Sequence, residues 1–127
     1  MPLTRASRIP VVVASGTQAL TLDTPVTLLS TTTPGIYVFR LDYDALTVPV
    51  TSSIGWGEVA EVIIKSALLS GGTVRQVFFA TVMAGTDANT LLVSPELSCP
   101  FGLDVILEQP TTAGATGRSL IWSVERT

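Results

Sequence analysis

Between Glu58 and Met83 the chain runs through two apolar stretches separated by Ser70-Gly71-Gly72-Thr73. No other feature limits the fold as strongly, because two extended runs joined through a glycine pair signal an antiparallel hairpin. On the first run Ala60, Val62, Ile64, Ser66 and Leu68 share one face at period two, with Glu61 and Lys65 on the other. On the second, Val74, Gln76, Phe78, Ala80 and Val82 alternate with Arg75, Val77, Phe79, Thr81 and Met83. Apolar residues on both faces of this second run predict a central strand rather than an edge. Glu58, Glu61 and Lys65 also stand at helical spacing, with Val59, Val62, Ile63 and Ala67 as an apolar stripe. The β-branched side chains of Val59, Val62, Ile63 and Ile64, stiff at χ1, and the following glycines favour the strand.

The rest of the chain repeats this pattern of short extended runs and turns. Residues 1–9 are mixed and polar and read as an arm. Ile9–Ala14 is a first β-branched run, ended by Ser15-Gly16. Gln18–Leu22 and Val26–Leu29 flank an Asp23-Thr24-Pro25 turn, and Pro34-Gly35 marks another. From Gly35 to Tyr43, Tyr37, Phe39, Leu41 and Tyr43 fall on one face, with Arg40 and Asp42 opposite, which makes a core wall. Thr51–Gly57 is a loop in which Trp56 sits between glycines, as a plug folded back or as an exposed contact. Leu91–Ser94 is short, and Pro95 and Pro100 mark it as an edge or its end. Leu103–Gln109 and Ser119–Glu125 alternate around the glycine-rich loop Pro110–Arg118, and together they predict a second hairpin.

Eight to ten short strands, no secure helix and turns every 8–12 residues or so predict an all-β fold. The architecture expected is an antiparallel β-sandwich or a jelly-roll-like closure, with an extended N-terminal arm. The domain reading is an arm over residues 1–15 and a single β-sandwich domain over residues 16–127.

Composition bears on the surface. The chain has 127 residues, 46% of them hydrophobic and only 13% charged, about half the charged share usual in soluble domains. Hydroxyl residues take the place of ions, so burial of the surface against copies of the chain or against a partner is expected. The formal net charge is −3 with positive residues scattered, which argues against direct nucleic-acid binding. No apolar segment of about twenty residues is present to span a membrane. The stretch after Arg5 and Arg8 faintly imitates a signal peptide, but it is short and contains Pro10, and that reading is set aside. Cys99 is the single cysteine, so packing and oligomerisation rather than an internal disulfide must supply stability.

Catalytic chemistry finds few candidates. Histidine is absent, which removes the commonest general base and any Ser-His-Asp or Cys-His arrangement. Cys99 lies between Ser98 and Pro100 without a basic neighbour and reads as an inert buried thiol. Asp42 and Asp44 share one side of an extended chain and suggest a calcium site or an acid–base pair. Arg40 two residues earlier makes a surface ion pair the simpler account. The Gly114–Arg118 loop lacks the lysine and spacing of a phosphate-binding loop. The expectation is a non-enzyme with no catalytic residue, cofactor or metal. The candidate residues are instead interface ones: Arg5, Arg8, Trp56, Arg75 and Arg118, since Arg and Trp dominate many protein interfaces. Trp122, on the face of Leu120 and Val124, reads as core.

Three blocks carry a resemblance: Tyr37–Leu46, Val62–Arg75 with its Leu-Ser-Gly-Gly-Thr turn, and Thr116–Val124 with its Gly-Arg…Trp ending. They resemble small β-rich structural proteins of tailed bacteriophages, over the middle and last thirds of the chain. The resemblance implies a virion component and carries over no catalytic or ligand residue. A charge-poor β domain with an arm suits a particle in which many copies pack side by side. The first expectation is therefore a capsid decoration (cement) protein on the capsid surface. It would bridge capsomers, associate with itself as a homo-oligomer (trimer favoured) and contact the major capsid protein or other virion proteins. The alternatives are a tail, head–tail connector or fibre-base component, and a carbohydrate- or receptor-binding β-sandwich, against which the 6% aromatic content counts.

Overall fold

Five of the seven strand pairings among the described residues are nested about the Ser70-Gly71 turn, each joining a residue before it to one after it. A computed structural model describes residues 9–48, 57–84, 91–112 and 114–127. Its strands are β1 (Val11–Ala19), β2 (Val26–Thr31), β3 (Gly35–Asp42), β4 (Val59–Ala67) and β5 (Val74–Met83), then β6 (Leu91–Val93), β7 (Leu97–Cys99), β8 (Leu103–Glu108) and β9 (Ser119–Arg126). Among the described residues there is no helix, and the helical alternative for 59–67 is excluded. Successive pairs lie one outside the other: Ala67 with Val74, Asp42 with Leu91, Thr31 with Leu103, Val11 with Arg126. The chain is one long antiparallel ribbon, doubled back at its middle and then rolled.

Rolling the ribbon gives two antiparallel sheets. One runs β1-β9-β3-β6, with β7 also on β3; the other runs β2-β8-β4-β5. The strands β6 and β7 pair with opposite ends of β3, at Arg40–Asp42 and Gly35–Tyr37. They are one edge strand interrupted at Ser94-Pro95-Glu96. Proline cannot donate to the ladder, and the last regular contact before it is made by Ser94, whose N donates to Phe39 O at 2.8 Å and whose hydroxyl accepts from Phe39 N at 2.9 Å. Counted as one, they leave, among the described residues, eight strands in two four-stranded sheets, and every connection but the β4–β5 hairpin joins strands of different sheets. This is the strand order of a jelly roll.

The core lies between the sheets and follows the period-two pattern. Tyr37, Phe39 and Leu41 from β3 and Leu120, Trp122 and Val124 from β9 face Ala60, Val62 and Ile64 from β4 and Leu103, Val105 and Leu107 from β8. Complete burial of each larger side chain contributes about 1.5–3 kcal/mol. Tyr43, expected as the fourth member of the β3 wall, is half-buried against this core. At the other end of β3, Tyr37 is fully buried, and its hydroxyl donates to Thr33 O, tying the β2–β3 turn to the core. β1 begins at Val11, so its first five residues fall within the stretch 1–15 read as an arm.

Two expectations need correction. The runs 103–109 and 119–125 do not form a hairpin: β8 pairs with β2 and β4, while β9 pairs with β1 and β3. The connection between them crosses from sheet to sheet, so their apolar faces meet through the core and not side by side. The second correction concerns β5, which is the outermost strand of its sheet, not a central one. β4 holds the inner position. The apolar residues on the outer face of β5, Val77 and Phe79, are 49% and 47% exposed. A register shift opposite Ile64/Lys65 makes Val77 an extra, bulged residue, so Gln76 and Phe78 no longer share a face.

Candidate functional site

Where β4 begins, a glutamate enters the interior. Gly57 brings the backbone so close to Ala84 that a Cβ would lie 2.8 Å from the Ala84 Cβ and carbonyl oxygen. That approach draws the Glu58 side chain inward, where it is completely buried. Burying a lone carboxylate is costly, so it must be paired and hydrogen-bonded. Oε1 accepts from Thr47 N at 2.7 Å, Thr47 Oγ1 at 3.1 Å and Arg118 Nε at 2.8 Å; Oε2 accepts from Thr116 N at 3.0 Å. Arg118 Nη2 also donates to Thr47 Oγ1 at 2.9 Å. Burial by itself pushes the Glu58 carboxyl up, but Arg118 and the Thr116 and Thr47 donors outweigh it and hold the group below the usual glutamate value.

Gln109 completes the cluster from the end of β8. It too is fully buried: its Nε2 donates to Thr116 O at 2.8 Å, and its Oε1 accepts from Arg118 N at 2.9 Å. Glu58 and Gln109 therefore engage both backbone polar groups of Thr116 and, on Arg118, the backbone N and the guanidinium. The crossover loop is fastened further at Asp23, which accepts from the Thr111 amide at 2.9 Å and from its hydroxyl. Gly117 is needed where the loop passes Leu20, since a Cβ there would lie 2.2 Å from the Leu20 carbonyl oxygen. Every Glu58 oxygen is occupied by donors of the fold and none is open to a substrate. The cluster is a clamp that holds three loops at one end of the sandwich.

The residues expected at an interface are not brought together. Arg5, Arg8 and Trp56 lie outside the described residues. Arg118 is engaged within the fold, with its side chain 34% exposed. Arg75 lies on the exposed edge strand opposite Ser66. Glu58 and Ser66 mark opposite ends of β4, roughly 25 Å apart at strand rise, so the two arginines serve different ends of the molecule. Sequence reasoning missed Glu58 and Gln109. The sequence places Glu58 only at helical spacing with Glu61 and Lys65, and the available signal is an acidic residue between Gly57 and a β-branched run. Trp122 is in the core, as expected. Cys99 is buried, and burial raises its thiol above the ordinary value, with the Ser66 hydroxyl acting weakly against it.

Asp42 and Asp44 do not act as a pair of free carboxylates. Asp42 Oδ1 accepts from Asp44 N at 3.0 Å and closes the turn after β3. Arg40 reaches across to Glu125, with Nε 3.3 Å from Oε1. The ion pair on that face is thus Arg40–Glu125, contributed by neighbouring strands. Beside it lies a shallow depression of about 430 Å³, lined by Thr17, Arg40, Asp42, Leu91 and Ile121.

Beyond the clamp, the outer sheet faces carry the features that bear on function. On the β2-β8-β4-β5 sheet, Thr27, Ile106, Ile63 and Phe79 form one cross-strand row. On the other sheet, Ile121 and Leu91 flank Asp42 in another. Comparison with protein-family models and with curated proteins gave no match.

Proposed function

We propose that this chain is a non-enzymatic structural subunit of a phage particle, with capsid decoration as its role and the capsid surface as its location. One observation carries the reading. The outer faces of both sheets carry exposed apolar side chains, Phe79 at the end of the half-buried row Ile106–Ile63 on one and Ile121 and Leu91 on either side of Asp42 on the other, on a domain with few charges to solvate them. Water covers such faces poorly, and packing against neighbours covers them well. The jelly roll supports the reading without selecting it, since the same fold also serves sugar-binding domains. The main polar cluster is consumed in holding loops, which leaves side-by-side contact through faces and edges as the chemistry on offer.

Copy number tests the proposal. Quantitative mass spectrometry of purified particles should find hundreds of copies of this chain per particle, and stripping them should lower the temperature at which the shell opens. A few copies or a few tens would place it at a tail junction. Absence from the particle, together with a monomer that stays dispersed at high concentration, would remove the structural reading altogether.

A further inference from the structure

β1 differs from every other strand in how it is held. Its backbone pairs with β9 from Val11–Arg126 to Ala19–Ser119, but its side chains add little to that ladder. No residue of β1 is buried, and Ala14 is its one apolar side chain packed against the core. Every other strand sets at least one side chain of valine size or larger there. The register shows why. Residues opposite each other across a ladder share a face, and the positions opposite the core residues Val124, Trp122 and Leu120 hold Ala14, Gly16 and Gln18. At Gly16 a Cβ would make only ordinary contact, 3.8 Å from Trp122 Nε1. The large residues Val11, Val12 and Val13 are instead 58%, 55% and 36% exposed. Among the described residues, the hydrogen bond made by a β1 side chain is local, from Gln18 Nε2 to Ala19 O at 2.9 Å. The anchor lies just past the strand: Leu20 is buried and its N donates to Arg118 O at 2.9 Å, while Asp23 N donates to Gln109 O at 2.9 Å. At the Val11 end, by contrast, Pro10 precedes the strand and a bulge between Val12 and Ala14 interrupts the ladder.

We propose that β1 is a strap that lifts from β9 as a unit, hinged at Leu20, while the other strands stay packed. Ordering a strand costs backbone entropy at each residue. A ladder hydrogen bond returns only a modest net gain, because water competes for the same groups. Burial of apolar surface normally supplies the surplus, and β1 buries little. Its pairing is therefore lost before the rest, and it takes with it too few core contacts to open the sandwich. Lifting bares the backbone edge of β9 from Ser119 to Arg126, a run without proline, and the flank of Trp122, 9% exposed when the strap is down. The lifted form thus presents an open strand edge that the closed form covers. The strap does not depend on the particle role proposed above.

Residue-resolved hydrogen exchange on the full chain tests the strap. β9 lies between β1 and β3, so its N–H groups point alternately to one neighbour and the other. The β9 amides aimed at β1 should exchange together with the bonded amides of β1, at least about tenfold faster than those of the inner strand β4. The intervening β9 amides, aimed at β3, should keep the slow rate of β4. Uniform exchange along β9, or β1 amides as slow as those of β4, overturns the proposal. Thr17→Pro breaks the ladder in the middle of β1. It should abolish protection in β1 and in the β9 amides aimed at it, and leave Cys99 unreactive in native buffer. It should lower the protection of β4 by no more than the factor by which wild-type β1 is protected. A larger loss in β4, or a Thr17→Pro chain that does not fold, would show that the sandwich needs β1 to close, and the strap would be lost with it.

Discussion

Arg118 Nε donates to Glu58 Oε1 at 2.8 Å, and this one contact joins the start of β4 to the last residue of the loop that carries the chain into β9. The carboxylate is sealed from water while the guanidinium reaches the surface. Removing the arginine leaves a buried charge with only neutral donors; removing the carboxylate leaves a guanidinium that water can still reach.

Arg118→Ala should therefore destabilise the fold more than Glu58→Gln. Breaking a buried ion pair costs about 3–5 kcal/mol; partial exposure of Arg118 lowers the expectation to about 2–4 kcal/mol, and to about 1–3 kcal/mol for Glu58→Gln. Arg118→Lys should recover only part, because one ammonium cannot reproduce the fork that serves Glu58 and Thr47 together. Urea unfolding of the three variants and of the double variant measures this. Additive losses with no coupling beyond about 0.5 kcal/mol would show that the clamp does not act as a unit.

Acid should loosen the same end of the molecule. Glu58 is held below its ordinary value, as is Asp23, whose carboxylate accepts from the Thr111 hydroxyl and, more weakly, from its amide. Both values are lowered on folding, so below the unfolded values, about 4, the unfolded state binds more protons than the native one. Stability from these groups is thus fully present at neutral pH and is lost as pH falls through the folded values. The urea midpoint should be flat from pH 7 to about 5 and then drop, and Glu58→Gln should flatten the drop. Parallel curves for wild type and variant would clear Glu58 of the effect.

Two glycines with positive φ should respond differently to alanine. Gly102 has φ +80°, and a Cβ there would lie 1.9 Å from the Thr31 carbonyl oxygen, so backbone must move. Its own carbonyl also accepts from the buried Ser66 hydroxyl at 2.8 Å. Gly71 has φ +67° but meets nothing within 4 Å. Gly71→Ala should cost about 1–2 kcal/mol, the left-handed penalty alone. Gly102→Ala adds a steric displacement and should cost about 3 kcal/mol or more. Thermal melts of both variants decide it, and equal losses would contradict the close approach.

How much of this was legible follows from what each signal measures. Period-two alternation reports which face is buried, so the core rows of β3, β4, β8 and β9 could be read directly, as could the hairpin at Gly71-Gly72. Alternation says nothing about which sheet a strand joins. β8 and β9 are alike in pattern and consecutive in sequence, yet they belong to opposite layers, because a ten-residue connection spans the gap between sheets as readily as it turns a hairpin. The two-faced apolarity of β5 misled in another way: Phe79 is apolar and exposed, a combination that a pattern of hydrophobicity cannot distinguish from burial on both sides. Glu58 and Gln109 were hidden for the opposite reason. They are polar and buried, and only three-dimensional closure reveals the Thr47, Thr116 and Arg118 partners that make this tolerable.

Cys99 gives a local clock for opening of the sandwich. Its thiol is 1% exposed and raised by burial, and its carbonyl accepts from Gly102 N at 3.2 Å across the turn that carries the chain from β7 to β8. A thiol reagent needs an exposed thiolate, so labelling must wait for that turn and the β3–β7 pairing to open. At pH 8 the native protein should label at least about a thousandfold more slowly than the urea-unfolded chain, a ratio that reflects the opening free energy. Because the turn depends on Gly102, Gly102→Ala should speed labelling sharply, whereas Arg118→Ala, at the other end of β4, should act only through global stability. Rapid labelling of the wild type in native buffer would mean that the β7 edge opens independently of the core.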